Sequence, residues 1–379
     1  MGEAAERTGA GAAAQLILEL LPEPVILVRG GEDEAPEISY GNQAAREVFR
    51  IRLAGAPLGA AMRQPEVLEA IEHALATDTP TEVAFETIGV QPRYWRAFAR
   101  PLDLTHDGQR TLVVVLRDET DARRTERMRA DFLANASHEL RTPLASLAGF
   151  IETLRTHARD DAEARERFLE IMAEQANRMA RLVDDLLSLS RIELNEHIPP
   201  AGKVDLARTV EDVSDALRPV TAARGVSIVT EVAAGPTSVI GDRDQLVQVI
   251  QNLVDNAVKY TGRGGQVRVQ LAAAANSEAA RAPSRSGIGL SLLSPDASDA
   301  RAYVVLRVTD QGPGIARQHL PRLSERFYRV EGQRTGGTGL GLAIVKHVVN
   351  RHRGGLIVES AEGEGATFSV YLPMAPASA

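Results

Sequence analysis

Apolar residues in the middle of the chain recur with a helical step. Met128, Phe132, Ala136, Leu140, Leu144, Leu147, Ile151 and Leu154 follow one another at intervals of three or four, the stripe of an amphipathic helix that faces a helical partner. Phe168, Met172, Gln175, Met179, Leu182, Leu186 and Leu189 then alternate steps of four and three, a coiled-coil seam. The pattern predicts one helix from near Asp121 and a second over about Ala162 to Asn195. The polar segment RTHARDD joins them as an antiparallel hairpin. A single hairpin covers half of its apolar surface, so two chains are expected to pair into a four-helix bundle. His138, in SHELRTPL, falls between stripe positions and is expected to face solvent.

On either side the period changes from helical to alternating. PVILV, EISYGN, RYWRAFARPL and TLVVVLRD read as strands, with QAAREVF and PEVLEAIEHAL as helices between them, which predicts a small α+β domain over 16–120. Residues 1–15 are Ala/Gly-rich and expected to be flexible. Beyond the hairpin (121–197), prolines and a glycine mark a linker at 198–202. An α/β domain over 203–375 follows, with strands near Val226–Val232, Ser238–Ile240, Val267–Leu271, Tyr303–Val308, Leu356–Glu359 and Thr367–Leu372. A helix is predicted over Arg243–Tyr260, and 272–301 reads as an extended loop.

Composition narrows the possibilities. The 379 residues carry 43 Lys and Arg against 51 Asp and Glu, a net charge of −8, with 4% aromatic residues; no nucleic-acid partner is expected. The absence of cysteine excludes disulfides, thiolate metal sites and cysteine nucleophiles. No stretch has the length and apolarity of a membrane span and no leader pattern opens the chain, so it reads as cytoplasmic.

Three motifs of the last domain carry chemistry. In QNLVDNAVKY, Asn252 and Asn256 are four apart and Lys259, one of three lysines, three further on; the face is either merely solvated or suited to hydrated Mg²⁺ and phosphate. In VTDQGPGI, Asp310 ends a strand before Gly312 and Gly314. It makes an Asx turn or accepts from an exocyclic amine such as that of adenine. In GGTGLGLAIVK, Gly337, Gly339 and Gly341 precede a helix, an anion site without the leading strand of a Rossmann fingerprint or the Lys-Ser/Thr of a P-loop. SGIGLSLL imitates it but sits in the loop. SERFYRVEGQRTG, with Phe327, Tyr328 and Arg329, is either a surface loop or a cover over a nucleotide.

Their order carries more than any one of them. SHELRTPL, NLVDNAVKY, DQGPGI, ERFYRV and GTGLGLAIVK resemble, over about 120–375, the H, N, G1, F and G2 boxes of sensor histidine kinases, and the N-terminal elements with SYGNQAAREVF resemble a PAS sensory domain. The resemblance implies a multidomain α+β protein in which a PAS-like domain, a dimerising hairpin and a Bergerat-type α/β sandwich that binds ATP follow one another. It implies phosphorylation of His138, with Glu139 as acid/base and Thr142 in a phosphatase role. Asn256 and Asn252 correspond to the Mg²⁺ site. Lys259, Tyr260, Asp310, Gly312, Gly314, Phe327, Arg329, Gly337, Thr338, Gly339, Leu340 and Gly341 correspond to nucleotide contacts.

The implied partners are a second copy of the chain and a response regulator with an acceptor aspartate. LPEPVILV, FLANASHELRTPLASLAGFIETL and SERFYRVEG look most like phosphate-regulon sensors, which are usually anchored in the inner membrane and would add membrane sensory partners. Two rivals remain: an ATPase of the same nucleotide-binding superfamily, and a non-catalytic PAS-containing dimeric scaffold.

Overall fold

The computed structural model describes residues 16–30, 35–87, 92–106, 109–159, 161–283, 289–295, 302–330 and 337–376. The expected flexible segment 1–15 lies outside them. The chain divides into two compact units, Met1–Asp131 and Phe132–Ala379. Among the described residues no helix is long and apolar enough to cross a membrane.

The first unit is a six-stranded sheet with helices between its strands. Its elements are β1 (Val25–Gly30), β2 (Glu37–Gly41), α1 (Gln43–Phe49), β3 (Ala56–Pro57), α2 (Leu58–Ala61), α3 (Pro65–Thr77), β4 (Thr81–Thr87), β5 (Arg93–His106) and β6 (Gln109–Asp118), in the sheet order β3-β2-β1-β6-β5-β4. All pairings are antiparallel. Trp95, Ala97 and Ala99 on β5 and Leu112, Val114 and Leu116 on β6 alternate onto one face and form a core with Val67, Ile71 and Ala74 of α3.

Asn42, fully buried, ties this unit together. Its Oδ1 accepts from Val25 N at 2.9 Å and, as the cap of α1, from Ala45 N at 3.0 Å. Its Nδ2 donates to the carbonyls of Leu18, Leu21 and Glu23. One amide thereby satisfies five backbone groups. β4 was not anticipated, because every second residue along it is exposed and none is fully buried.

Helix α4 (Thr120–Arg155) leads out of the first unit and, from Phe132, belongs to the second. It runs on through Pro143 and packs antiparallel to α5 (Ala162–Leu194), with the Phe150 and Phe168 rings 5.4 Å apart. Asp161 caps α5 by accepting from Ala164 N. After β7 (Lys203–Asp205) comes α6 (Leu206–Arg224), a helix the sequence pattern did not reveal. It has Pro219 inside it, and its buried positions include Thr209, Ser214 and Thr221, so its inner face does not read as apolar.

β8 (Ser227–Val232), β9 (Ser238–Ile240), α7 (Arg243–Tyr260), β10 (Gln266–Ala274), α8 (Ser277–Arg281), β11 (Gly289–Leu293), β12 (Tyr303–Thr309), α9 (Gly341–Arg351), β13 (Gly355–Ser360) and β14 (Ala366–Pro373) complete the unit. Its main sheet has the order β11-β13-β14-β12-β10-β8, antiparallel except for β8 with β10. Leu246, Val249, Ile250, Leu253 and Val254 of α7 and Ile344, Val345, Val348 and Val349 of α9 bury against Val304, Leu306 and Val308 of β12.

The segment expected as an extended loop is partly built. α8 and the edge strand β11 lie within it, β11 pairing with β13, so part of the phosphate-loop imitator SGIGLSLL is sheet edge. Ala280 of α8 joins Tyr303, Val305 and Tyr371 in a second small cluster, on the sheet face opposite Val304 and Leu306 because neighbouring strand residues alternate.

His352 joins the ends of the two helices that frame the last domain. Its Nδ1 donates to Val348 O at 2.8 Å and its Nε2 accepts from Asp242 N, at the start of α7, at 3.0 Å. Only the neutral ring can do both. Burial, foremost, lowers its pKa from the usual 6.5, so the unfolded chain binds more protons than the native one below that value. Stability is therefore expected to be full above about pH 6.5 and to fall as the pH drops through the lowered value. Denaturant unfolding of the wild type and of His352→Gln, followed by circular dichroism, checks this: the variant starts about 1 kcal/mol less stable near pH 7, and the gap narrows towards pH 5.

Candidate functional site

The amphipathic period of α7 decides what faces outward. With Leu253, Val254 and Ala257 buried, Asn252, Asn256, Lys259 and Tyr260 are left on the rim of a cleft of about 640 Å³. Asp310, Gly314, Arg329, Gly337, Thr338, Gly339 and Gly341 also line it. Three motifs from separate parts of residues 251–341 thus meet in one cavity.

Close packing explains the glycines. A Cβ on Gly337 would lie 2.7 Å from Lys259 Nζ, and one on Gly341 3.2 Å from Asn252 Oδ1. On Gly312, beside the cleft, it would lie 2.9 Å from both Asp310 Oδ1 and Tyr260 O. Gly339 has a φ of +74° and stands where a Cβ would meet the backbone of Phe327 at 2.8 Å; the two segments are joined by Phe327 N donating to Gly339 O at 3.0 Å.

Asp310 is 5% exposed, and its Oδ1 accepts from Gly312 N at 2.8 Å and Ala366 N at 3.1 Å. Asp310 thus makes the anticipated Asx turn and at the same time lines the cleft. Lys259 Nζ donates to Tyr260 Oη at 3.3 Å and lies 4.9 Å from the ring centre, a partly desolvated cation suited to phosphate.

The buried Nδ2 of Asn252 has no hydrogen-bond partner, the condition of an amide whose neighbour is a ligand. Among the described residues no three His, Asp or Glu are grouped to hold a metal. The open Nδ2 is a donor suited to an acceptor such as a phosphate oxygen, and the neutral amide oxygens of Asn252 and Asn256 are of the kind that Mg²⁺ takes beside phosphate and water.

Two expected contacts lie elsewhere. The Phe327 ring packs 5.8 Å from that of Phe132 on α4, while its neighbours Tyr328 and Arg329 line the cleft; Phe327 has a left-handed backbone, φ +63°. Leu340 is fully buried in the core at the start of α9. An apolar residue between glycines is drawn inward when the helix it opens is packed.

The opposite wall was invisible in the sequence. Arg178, Arg181, Asp184 and Asp185 of α5 line the cleft, and Thr338 Oγ1 donates to Asp185 Oδ2 at 2.7 Å. Burial raises the Asp185 carboxyl above the usual range, against the opposing effect of that hydrogen bond. Further along, Ser188 meets Gln248, Glu193 meets Arg326, and Glu196 meets His347 and Asn350.

His138 is exposed on α4 and does not line the cleft. Its carbonyl accepts from Thr142 Oγ1 at 3.2 Å, so Thr142 shares its face one turn on. The Glu139 carboxylate turns to α5: its Oε2 accepts from Arg178 Nη2 at 2.9 Å.

Residues 128–195 match the family model of the His Kinase A (phospho-acceptor) domain, and residues 241–376 that of the Histidine kinase-, DNA gyrase B-, and HSP90-like ATPase. The chain is 38% identical over 271 residues to the phosphate regulon sensor protein PhoR of Pseudomonas aeruginosa, covering 71% of this chain and 55% of that one. It is 36% identical over 276 residues to the sensor-like histidine kinase SenX3 of Mycolicibacterium smegmatis, covering 72% and 65%. To the sensor histidine kinase WalK of Bacillus subtilis it is 31% identical over 265 residues, covering 69% and 39%. The chain thus spans less than two thirds of the length of these relatives. The chain thus carries a phospho-acceptor domain followed by a histidine kinase-like ATPase domain, and over 265–276 residues it is similar to sensor histidine kinases.

Proposed function

We propose that the protein is an ATP-dependent protein-histidine kinase that phosphorylates itself on His138 and passes the phosphoryl group to an aspartate of a response regulator. The observation that carries this reading is a solvent-facing histidine on a hairpin whose second helix walls an ATP cleft. Asp310 would anchor the adenine amine, and Lys259 and Arg329 would balance phosphate charge. Asn256 and Asn252 would hold Mg²⁺, which supplies charge neutralisation at the β- and γ-phosphates.

In the transfer a neutral ring nitrogen of His138 attacks the γ-phosphorus. The N–P bond forms, the bond to the bridging oxygen breaks, and ADP leaves; the proton of the other ring nitrogen passes to Glu139. Thr142, on the same face, would position a water for the reverse regulation, hydrolysis of the regulator's phosphoaspartate.

The hairpin leaves Leu144, Ile151, Leu169, Val183 and Leu187 exposed, an apolar seam that a second copy would cover as a four-helix bundle. The antiparallel sheet of the first unit, with α1 to α3 between β2 and β4, supports a PAS-like sensor that biases the hairpin through α4. Similarity to a protein named as a phosphate regulon sensor supports a phosphate-related signal and membrane sensory partners.

Incubation with γ-labelled ATP and Mg²⁺ is expected to place acid-labile, base-stable label on the wild type and none on His138→Gln. Nucleotide bound or hydrolysed without labelling of the wild type would instead favour an ATPase. Gly339→Ala, which forces a left-handed φ and a backbone clash, is expected to weaken ADP binding at least tenfold, ~1.4 kcal/mol. Gly337→Ala, facing only the mobile end of Lys259, is expected to cost less; a fluorescence titration ranks the two.

A further inference from the structure

Arg178 connects the nucleotide cleft to the acceptor turn. It is part of the cleft wall, whereas among the described residues none of α4 is. Its Nη2 reaches across the hairpin to Glu139 Oε2 at 2.9 Å. Glu139 adjoins His138 in sequence, and side chains one residue apart on a helix point in different directions. Something other than the local helix must therefore fix where this carboxylate lies.

The ion pair is not there for stability. The two side chains are 31% and 32% exposed, and a pair so hydrated contributes under about 1 kcal/mol. What a guanidinium supplies in that setting is direction, because its planar fork offers donors in fixed positions. One of the five N–H groups is used on Glu139, and the residue itself is part of the cleft lining.

We infer that Arg178 is a positioning residue for phosphoryl transfer, holding the Glu139 carboxylate on the cleft side of the hairpin, where it can take the proton from the His138 ring as the N–P bond forms. This inference rests on the kinase reading above. Arg178 touches neither the ring nor the phosphate in the proposed step; it acts through Glu139, and its removal slows the chemical step without loosening nucleotide.

The test uses the full chain and γ-labelled ATP with Mg²⁺, measuring initial labelling rates against ATP concentration. Arg178→Ala is expected to lower the rate at saturating ATP by about 10- to 100-fold, with KM for ATP and the Kd for ADP within about threefold of wild type. Arg178→Lys, a cation without the fork, recovers part of the rate. Glu139→Gln/Arg178→Ala is no slower than Glu139→Gln, because the two groups act as one.

Wild-type rates in Arg178→Ala, or losses that multiply in the double variant, overturn the inference. If Arg178→Ala no longer binds ADP, Arg178→Gln, which keeps most of the side chain's length, decides in its place: a slow, ADP-binding variant supports the assignment and a fast one overturns it. A wild type that binds ADP but takes no label on His138 overturns the kinase reading and this inference with it, a result distinct from a labelled wild type matched by its variant.

Discussion

Helix α5 has to be buried twice. Against α4 it forms the hairpin, through Phe168 and Arg178; against the ATP-binding domain it gives up Leu182, Leu189 and Ile192, all at most 3% exposed, to the same core that holds α7 and α9. Burying three such side chains stabilises the docked arrangement by about 5–9 kcal/mol as an upper bound. The ion pairs and hydrogen bonds at this boundary are each worth about 1 kcal/mol or less. The apolar contacts therefore hold the domain to the hairpin, and the polar ones set its register.

That docking has a chemical consequence. His138 is outside the cleft while α5 is inside it, so ATP in this cleft faces the wrong helix of its own hairpin. In the proposed reaction, phosphorylation then needs either separation of the α5 contact or the histidine of another copy. The contact between Thr338 and Asp185 puts the same question to the nucleotide loop, since a hydroxyl that donates to a half-buried carboxylate has no proton left to offer a phosphate. The arrangement is one in which the cleft is assembled and the proposed acceptor lies outside it, and a signal arriving through α4 would act on the balance between this state and a transferring one.

Which parts of this were legible depends on what fixed them. The ends of α7 follow from its own residues, an Asp242 cap and a helical stripe, and a helix from about Arg243 to Tyr260 was anticipated. The exposure of His138 follows from its place off the stripe. The arginines and aspartates of α5 carried no signal, because a polar residue on the outside of a seam looks the same whether solvent or a nucleotide cleft lies beyond it. Leu340 was assigned to the nucleotide by resemblance to the family's motif, yet a leucine at the start of a packed helix gains more by burial than by contact with a polar ligand. β11 was hidden by its Ala-, Ser- and Pro-rich surroundings, being a strand only by virtue of the β13 edge it extends.

The acceptor turn shows how a reactive side chain is kept available. Ser137, Thr142 and Ser146 each donate their hydroxyl to a carbonyl four residues back, a bond that satisfies the hydroxyl within the helix. Glu139 is held across the hairpin by Arg178. The hydroxyls beside His138 are thus satisfied within the helix, and among the described residues its ring enters no hydrogen bond. An imidazole with nothing to release can turn to whichever phosphate or aspartate is presented, so reactivity at this position is governed by what the rest of the protein brings to it.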